Sequence, residues 1–383
     1  MHRPDPRQAL FELLESAVTD GVFPGCVALV WCDGAQLYHE GHGTLATHPW
    51  FARRTEPVVR DTVYDLASLT KVLCTTTLAA MAVGERRIAL DNAVPTWLHH
   101  RCHDAKLVDL LEHASGLAAH AEYFTRVHER GASARDDVFA AVAASDPEYR
   151  ARERTVYSDL GFMILGRWLE DVYEDMLDRA FDHRIAAPLG LDEHVLASLG
   201  FRRISECQQP VGWVERRIAP SEVYDASLHP EGEPTWFAVR AHDRIAHGTV
   251  HDDNAYVMGG VAGHAGLFGT ATGVLEIARA WLEGGLVGLS RDVRDRFWQL
   301  SSVPGSTRRC GWHGPEPDGT GSSGTALSSD AAGHTGFTGT SLWIDPRPPS
   351  RIFVLLSNRV HPSRSNERIR AFRMRFHQAA ALL

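Results

Sequence analysis

Lysine is almost absent from this chain: Lys71 and Lys106 are the only two among 39 Lys and Arg residues. Set against 48 acidic residues, the 39 basic ones leave a formal net charge of -9, with no positive excess for a phosphate backbone to bind. Nucleic acid is therefore not expected as a partner. Cysteine is sparse and unpaired in pattern, since Cys26, Cys32, Cys74, Cys102, Cys207 and Cys310 contain no C-x-x-C spacing. That argues against a zinc ribbon and a dithiol redox motif, and the thiols are expected to be free and reduced. Long apolar runs are missing as well. The longest, around Leu73 to Val83, falls short of the roughly 18 residues a spanning helix needs, so no membrane contact is expected. The opening residues MHRPDPRQALFELLES lack the basic n-region, apolar h-region and small-residue cleavage site of an export signal, and the expected location is cytoplasmic.

What is present describes a compact enzyme-sized protein. Hydrophobic residues are 44% of the chain and charged residues 23%, ordinary values for a globular fold. Taking roughly 150 residues per core, 383 residues suggest two lobes. Gly25 to Trp31 and Ala35 to Glu40 read as strands joined at Asp33-Gly34, a dipeptide suited to the positive φ angles of a tight hairpin. Thr340 to Ile344 and Ile352 to Leu356 read as two more, split by the breaker run Asp345 to Ser350. Between these ends helical spacing prevails: Leu107, Leu110 and Leu111; Leu160 to Leu169; Val274, Ile277, Ala278 and Trp281. Asn366 to Leu382 reads as a final helix, and the Gly- and Ser-rich stretch Gly314 to Gly333 as a mobile loop. The expected fold class is α/β (α+β): an antiparallel sheet flanked by helices, assigned to residues 1–60 and 255–383, with a mainly helical lobe, 61–254, inserted. The active site is expected in the cleft between them.

Three short segments carry chemistry. Ser68-Leu-Thr-Lys71 is an S-x-x-K sequence that opens a run, Leu69 to Val83, with no other charge, and Gly84 supplies a helix stop. A helix apolar all round is buried, so Lys71 is expected to be desolvated near a helix N-terminus, which favours the neutral amine. From one turn away it can take the Ser68 proton, as a weak hydroxyl nucleophile requires. The competing reading is that Ser68 only caps the helix. In Tyr157-Ser158-Asp159 a phenol at a cleft mouth can relay a proton, although Ser158 or Asp159 can equally cap the helix that follows. In Gly333-His-Thr-Gly336-Phe-Thr-Gly339 the glycines suit close backbone approach on an edge strand. There the Phe337 and Ser68 N–H groups are candidate oxyanion donors, and His334, Thr335 and Gly336 candidate substrate contacts.

In order and spacing these segments resemble the motifs of the penicillin-binding and class C β-lactamase-like serine hydrolases: S-x-x-K, a Tyr-Ser-Asn-like Tyr157-Ser-Asp159, and a Lys-Thr-Gly-like His334-Thr-Gly336. Leu107 to Leu117, ending in Ser-Gly-Leu, and Ala265 to Thr270 also look like that family, and Gly248 to Ala255 and Gly259 to Gly266 like its bacterial, uncharacterised branch. The resemblance covers most of the chain. It implies a β-lactamase/transpeptidase-like fold, an acyl-serine intermediate, small-molecule or short-peptide substrates with an ester, amide or lactam carbonyl, and no cofactor.

Two positions depart from the family pattern. Asp159 stands where Asn is usual and would raise the pKa of Lys71, so either Tyr157 carries more of the burden or Asp159 points away. His334 stands where Lys is usual, leaving a carboxylate-binding charge only near or below about pH 6.5; Arg359 and Arg364 are candidate replacements. These departures keep open a catalytically inactive ligand-binding or sensor protein. A metal-dependent hydrolase is the other alternative, on the histidines at 99, 100 and 103 and at 242, 247 and 251, though neither set matches a ligand pattern with a known mechanism.

Overall fold

The computed structural model describes residues 5–99, 104–127, 132–191, 198–204, 218–224, 240, 245–358 and 366–383. Its strands are β1 (Gly25–Cys32), β2 (Ala35–Gly43), β3 (Tyr64–Asp65), β4 (Leu199–Phe201), β5 (Glu222–Val223), β6 (Ile245–Ala246), β7 (Leu267–Gly269), β8 (Ala332–Thr335), β9 (Ser341–Asp345) and β10 (Arg351–Ser357). The main sheet is antiparallel with order β2-β1-β10-β9-β8, so strands from both ends of the chain share it. Asp33 and Gly34 close the β1–β2 hairpin with φ of 43° and 88°, the conformation the dipeptide suggested.

β1 is apolar throughout because both of its faces are covered. Cys26, Ala28 and Val30 meet Leu10, Leu14, Phe372 and Phe376 of the first helix, Pro6–Thr19, and the last, Asn366–Ala380. Val27, Leu29 and Trp31 face the larger core, which continues through Leu78 and Val274 into the helices of the middle of the chain. Those helices include Thr77–Gly84, Leu107–Leu111, Asp159–Tyr173 and Ala271–Glu283, all on segments where apolar spacing anticipated them. Among the described residues no helix is long and apolar enough to cross a membrane.

The middle of the chain also holds β3 to β7, in sheets of three and two strands that the apolar pattern did not announce. Two or three residues carry no readable alternation. The stretch expected to be a mobile loop is instead tied down: Ser328 donates to Asp345 through N and Oγ at 2.8 and 2.6 Å, Arg309 reaches the Ser329 carbonyl at 2.6 Å, and its last residues, Ala332 and Gly333, are strand. Gly333 lies under Trp343, where a Cβ would meet the indole at 2.1 Å.

Candidate active site

Ser68 follows β3 at the mouth of the apolar helix. Lys71–Thr76 forms a π-helical turn that runs on into Thr77–Gly84. The turn before Ser68 is held by a buried carboxylate: Asp65 Oδ1 accepts the Ala67 N–H at 2.8 Å and Oδ2 the His251 N–H at 2.6 Å. Ala67 takes a positive φ of 47°, a strained conformation for a residue with a side chain, right before the serine. The Ser68 hydroxyl caps nothing. It lies 3.0 Å from Lys71 Nζ, so the capping reading fails.

Lys71 is fully enclosed. Its Nζ donates to Ser68 Oγ, to Asp159 Oδ1 at 2.8 Å and to the His264 carbonyl at 3.3 Å, and stands 4.8 Å from the centre of the Tyr157 ring. Burial works to lower its pKa, as expected, but the Asp159 carboxylate and then Tyr157 outweigh burial, and the net shift is upward. The expected neutral amine is therefore corrected to a resting ammonium. Asp159 does not point away. Burial works to raise its own carboxyl, but Lys71 and a hydrogen bond from His120 hold it well below the usual carboxylate range.

Ser158 caps the helix Asp159–Tyr173 by accepting the Gly161 N–H at 3.2 Å, which frees Asp159 at the first helical position to face Lys71. Tyr157 packs against His113 at 4.7 Å and His334 at 5.8 Å, with the Arg308 guanidinium 5.2 Å from its ring centre. Burial raises its phenol pKa, opposed by the Lys71 charge and by hydrogen bonds with Lys71 and Ser68.

His334 sits on edge strand β8 with its Nδ1–H on the Thr335 carbonyl at 2.9 Å. It is 2% exposed, and burial, then Lys71 and Arg308, push its pKa well below the ordinary value. The expectation that it becomes a cation near pH 6.5 is thus corrected: a buried imidazole between two cations stays neutral there. Thr335, Gly336 and Phe337 line the same cleft, of about 690 Å³, with Ser68, Tyr157 and Asp159. The Phe337 ring stacks on His251 at 5.4 Å.

Arg359 and Arg364 lie outside the described residues. From the last helix, Arg370 and Arg373 line the cleft instead. Arg373 is spent on the Gly336 and Thr340 carbonyls, both at 2.7 Å, whereas Arg370 is exposed. Of the histidines weighed for a metal, the side chain of residue 99 and residues 100, 103 and 242 are likewise outside the description; His247 approaches the Ile218 carbonyl at 3.0 Å and His251 approaches Glu222 at 3.5 Å. Sequence reasoning missed Asp65, His113, His120, Arg308 and Arg370. His113 lies within the Leu107 to Leu117 stretch and Asp65 just before Ser68, but no residue pattern singles out either, and His120, Arg308 and Arg370 reach the site from separate segments.

Three comparisons bear on this arrangement. The family model described as Beta-lactamase matches residues 10–376. A protein of Escherichia coli O157:H7 named "Putative D-alanyl-D-alanine carboxypeptidase" is 28% identical over 365 residues, covering 90% of this chain and 81% of that one. Among solved structures, EstCE1, titled a hydrolase with promiscuous acyltransferase activity, superposes with a TM-score of 0.69 at 21% identity over 96% of this chain and 98% of that chain. Simvastatin synthase (LovD) from Aspergillus terreus gives 0.72 at 17% identity over 99% and 98%. At these identities the two structures speak to the fold, a β-lactamase/transpeptidase-like one.

Proposed function

The chain belongs to the Beta-lactamase family, and we propose that it is a serine hydrolase that forms an acyl-enzyme on Ser68 and hydrolyses an ester, amide or lactam carbonyl. The observation that carries this reading is the 3.0 Å approach of the enclosed Lys71 Nζ to Ser68 Oγ on a cleft wall. In the proposed reaction Lys71, once it has given up its extra proton, takes the Ser68 proton, and the Ser68 oxygen attacks the carbonyl. Tyr157, a neutral phenol, gives its proton to the leaving group as it takes the one Lys71 received from Ser68, so both side chains end as they began. The N–H groups of Ser68 and Phe337 hold the oxyanion, and water on the same route releases the acyl group. Arg370 takes the role first expected of Arg359 and binds a substrate carboxylate, the charge that a neutral His334 does not supply. The cleft then lies between a sheet lobe, 1–60 and 255–383, and a helical lobe, 61–254.

The name carried by the Escherichia coli relative favours D-alanyl peptides, and simple esters are the competing substrate class. Intact-mass spectrometry separates them, using a fluorophosphonate and, in parallel, a penicillin on the wild type and Ser68→Ala. One adduct on Ser68 that vanishes in the variant is expected, and penicillin labelling would point to D-alanyl substrates. A second reading, an inactive ligand-binding relative, draws on the Asp159 clamp on Lys71; no adduct from either probe on folded protein would promote it.

A further inference from the structure

Asp159 bridges two bases. Its Oδ1 accepts Lys71 Nζ at 2.8 Å, and its Oδ2 meets His120 Nδ1 at 3.3 Å. Lys71 is enclosed, whereas 47% of the His120 side chain is exposed where it lines the cleft. Ser68, Lys71, Asp159 and His120 thus form one hydrogen-bonded line from the nucleophile to water. We propose that His120 acts through the shared Asp159 carboxylate to control when Lys71 can take the Ser68 proton. This rests on the acyl-enzyme reading of Ser68 and Lys71.

A carboxylate facing one ammonium holds its proton firmly. A second cation on the other oxygen competes for the same negative charge and repels the first, so Lys71 releases its proton more readily while His120 is protonated. The proton balance is simple: Lys71 gives one proton to solvent, His120 holds one taken from solvent, and Asp159 stays ionised. The groups facing His120 are carboxylates, Asp159 from the helix Asp159–Tyr173, Asp252 at the cap of Asp253–Val257, and Glu122 beside it. Beyond them lie Lys71 and His264, which pairs with Asp252 at 2.9 Å. The hydrogen bond to Asp159 raises the His120 pKa above its ordinary value, partial burial opposes it, and the negative charges around it add to the rise. The imidazole therefore keeps its proton to higher pH than an ordinary histidine. An Asn at position 159, the family's usual residue, has no charge to share. His120 is a positioning residue in this scheme, not a catalytic one.

The test is the rate of Ser68 acylation by a fluorophosphonate, followed by intact mass across the His120 titration, itself located by NMR, in the wild type, His120→Gln and Asp159→Asn. The wild type is expected to exceed His120→Gln roughly tenfold on the acid side of the imidazole titration, falling to parity on the alkaline side. The wild-type profile flattens across that titration, while His120→Gln climbs about tenfold per pH unit without a break. In an Asp159→Asn background, His120→Gln changes nothing. A wild-type to variant ratio that stays constant with pH would mark a merely structural role and overturn the proposal. A second measurement needs no acylation: the His120 imidazole, titrated by NMR, should move to higher pKa in Lys71→Met. An unmoved titration in folded Lys71→Met overturns the coupling even if Ser68 is labelled, and unlabelled Ser68 with a moved titration overturns the acyl-enzyme reading while the coupling stands.

Discussion

At Asp159 one carboxylate meets two cationic side chains, and which of them holds a proton decides what Lys71 can do. With Asp159 ionised, Lys71 rests as an ammonium that donates to Ser68 rather than accepting from it. Replacing Asp159 with Asn removes the largest opposing influence on Lys71 and leaves burial to lower its pKa. The acid limb of Ser68 acylation should therefore shift to lower pH, by on the order of one unit or more, in a pH–rate profile. Lys71→Met should lose acylation altogether. Arg370→Ala should raise KM severalfold for substrates with a carboxylate beside the scissile bond and leave neutral esters unchanged, if the guanidinium binds that carboxylate as proposed.

At the scale of elements, the apolar helix and the central strand were legible and their packing partners were not. The run from Leu69 to Val83, with no charge but Lys71, reads as a buried helix, and it is one, from the π-helical turn to Gly84. Gly84 was read as a stop, but its more stringent role is contact: a Cβ there would stand 1.8 Å from the Gly288 carbonyl oxygen. The positive φ after this helix falls on Arg86 instead, at 60°. Gly84→Ala should thus lower stability by about 2 kcal/mol or more in chemical denaturation, since backbone on both sides must move. In β1, Leu29 is fully buried on the face toward the middle helices. Leu29→Ala is expected to cost about 3 kcal/mol in the same measurement, from lost burial plus the cavity left behind.

At the scale of the molecule, buried neutral histidines set the response to acid. His113, His313 and His334 are held well below the ordinary imidazole pKa, first by burial and then by neighbouring cations. His377, on the last helix against Trp343 and Phe353, is lowered by burial to about 4. The unfolded chain takes up these protons near pH 6.5 and the folded one does not, so stability is complete above pH 6.5 and falls as pH drops from there toward 4. His377 alone accounts for on the order of 3 kcal/mol across that window. Lys71, raised, contributes stability that is lost only at alkaline pH, and Asp159, lowered, contributes stability lost only in strong acid, so neither titrates in this range. Denaturation midpoints should decline between pH 6.5 and 4, and His377→Gln should flatten the decline.

The sequence alone determined the sheet made from both chain ends, the buried helix behind Ser68, and the order of the three segments that meet in the cleft. These are local facts, written in periodicity, turn dipeptides and the spacing of Ser68 to Lys71. The charge states were decided only by the tertiary structure. Whether Lys71 is neutral depends on which way Asp159 turns, 88 residues away, and whether His334 is charged depends on burial and then on Lys71 and Arg308, none of which a window of sequence contains. Coulomb energies and desolvation depend on distance in space, and folding brings together groups whose separation along the chain carries no trace of it.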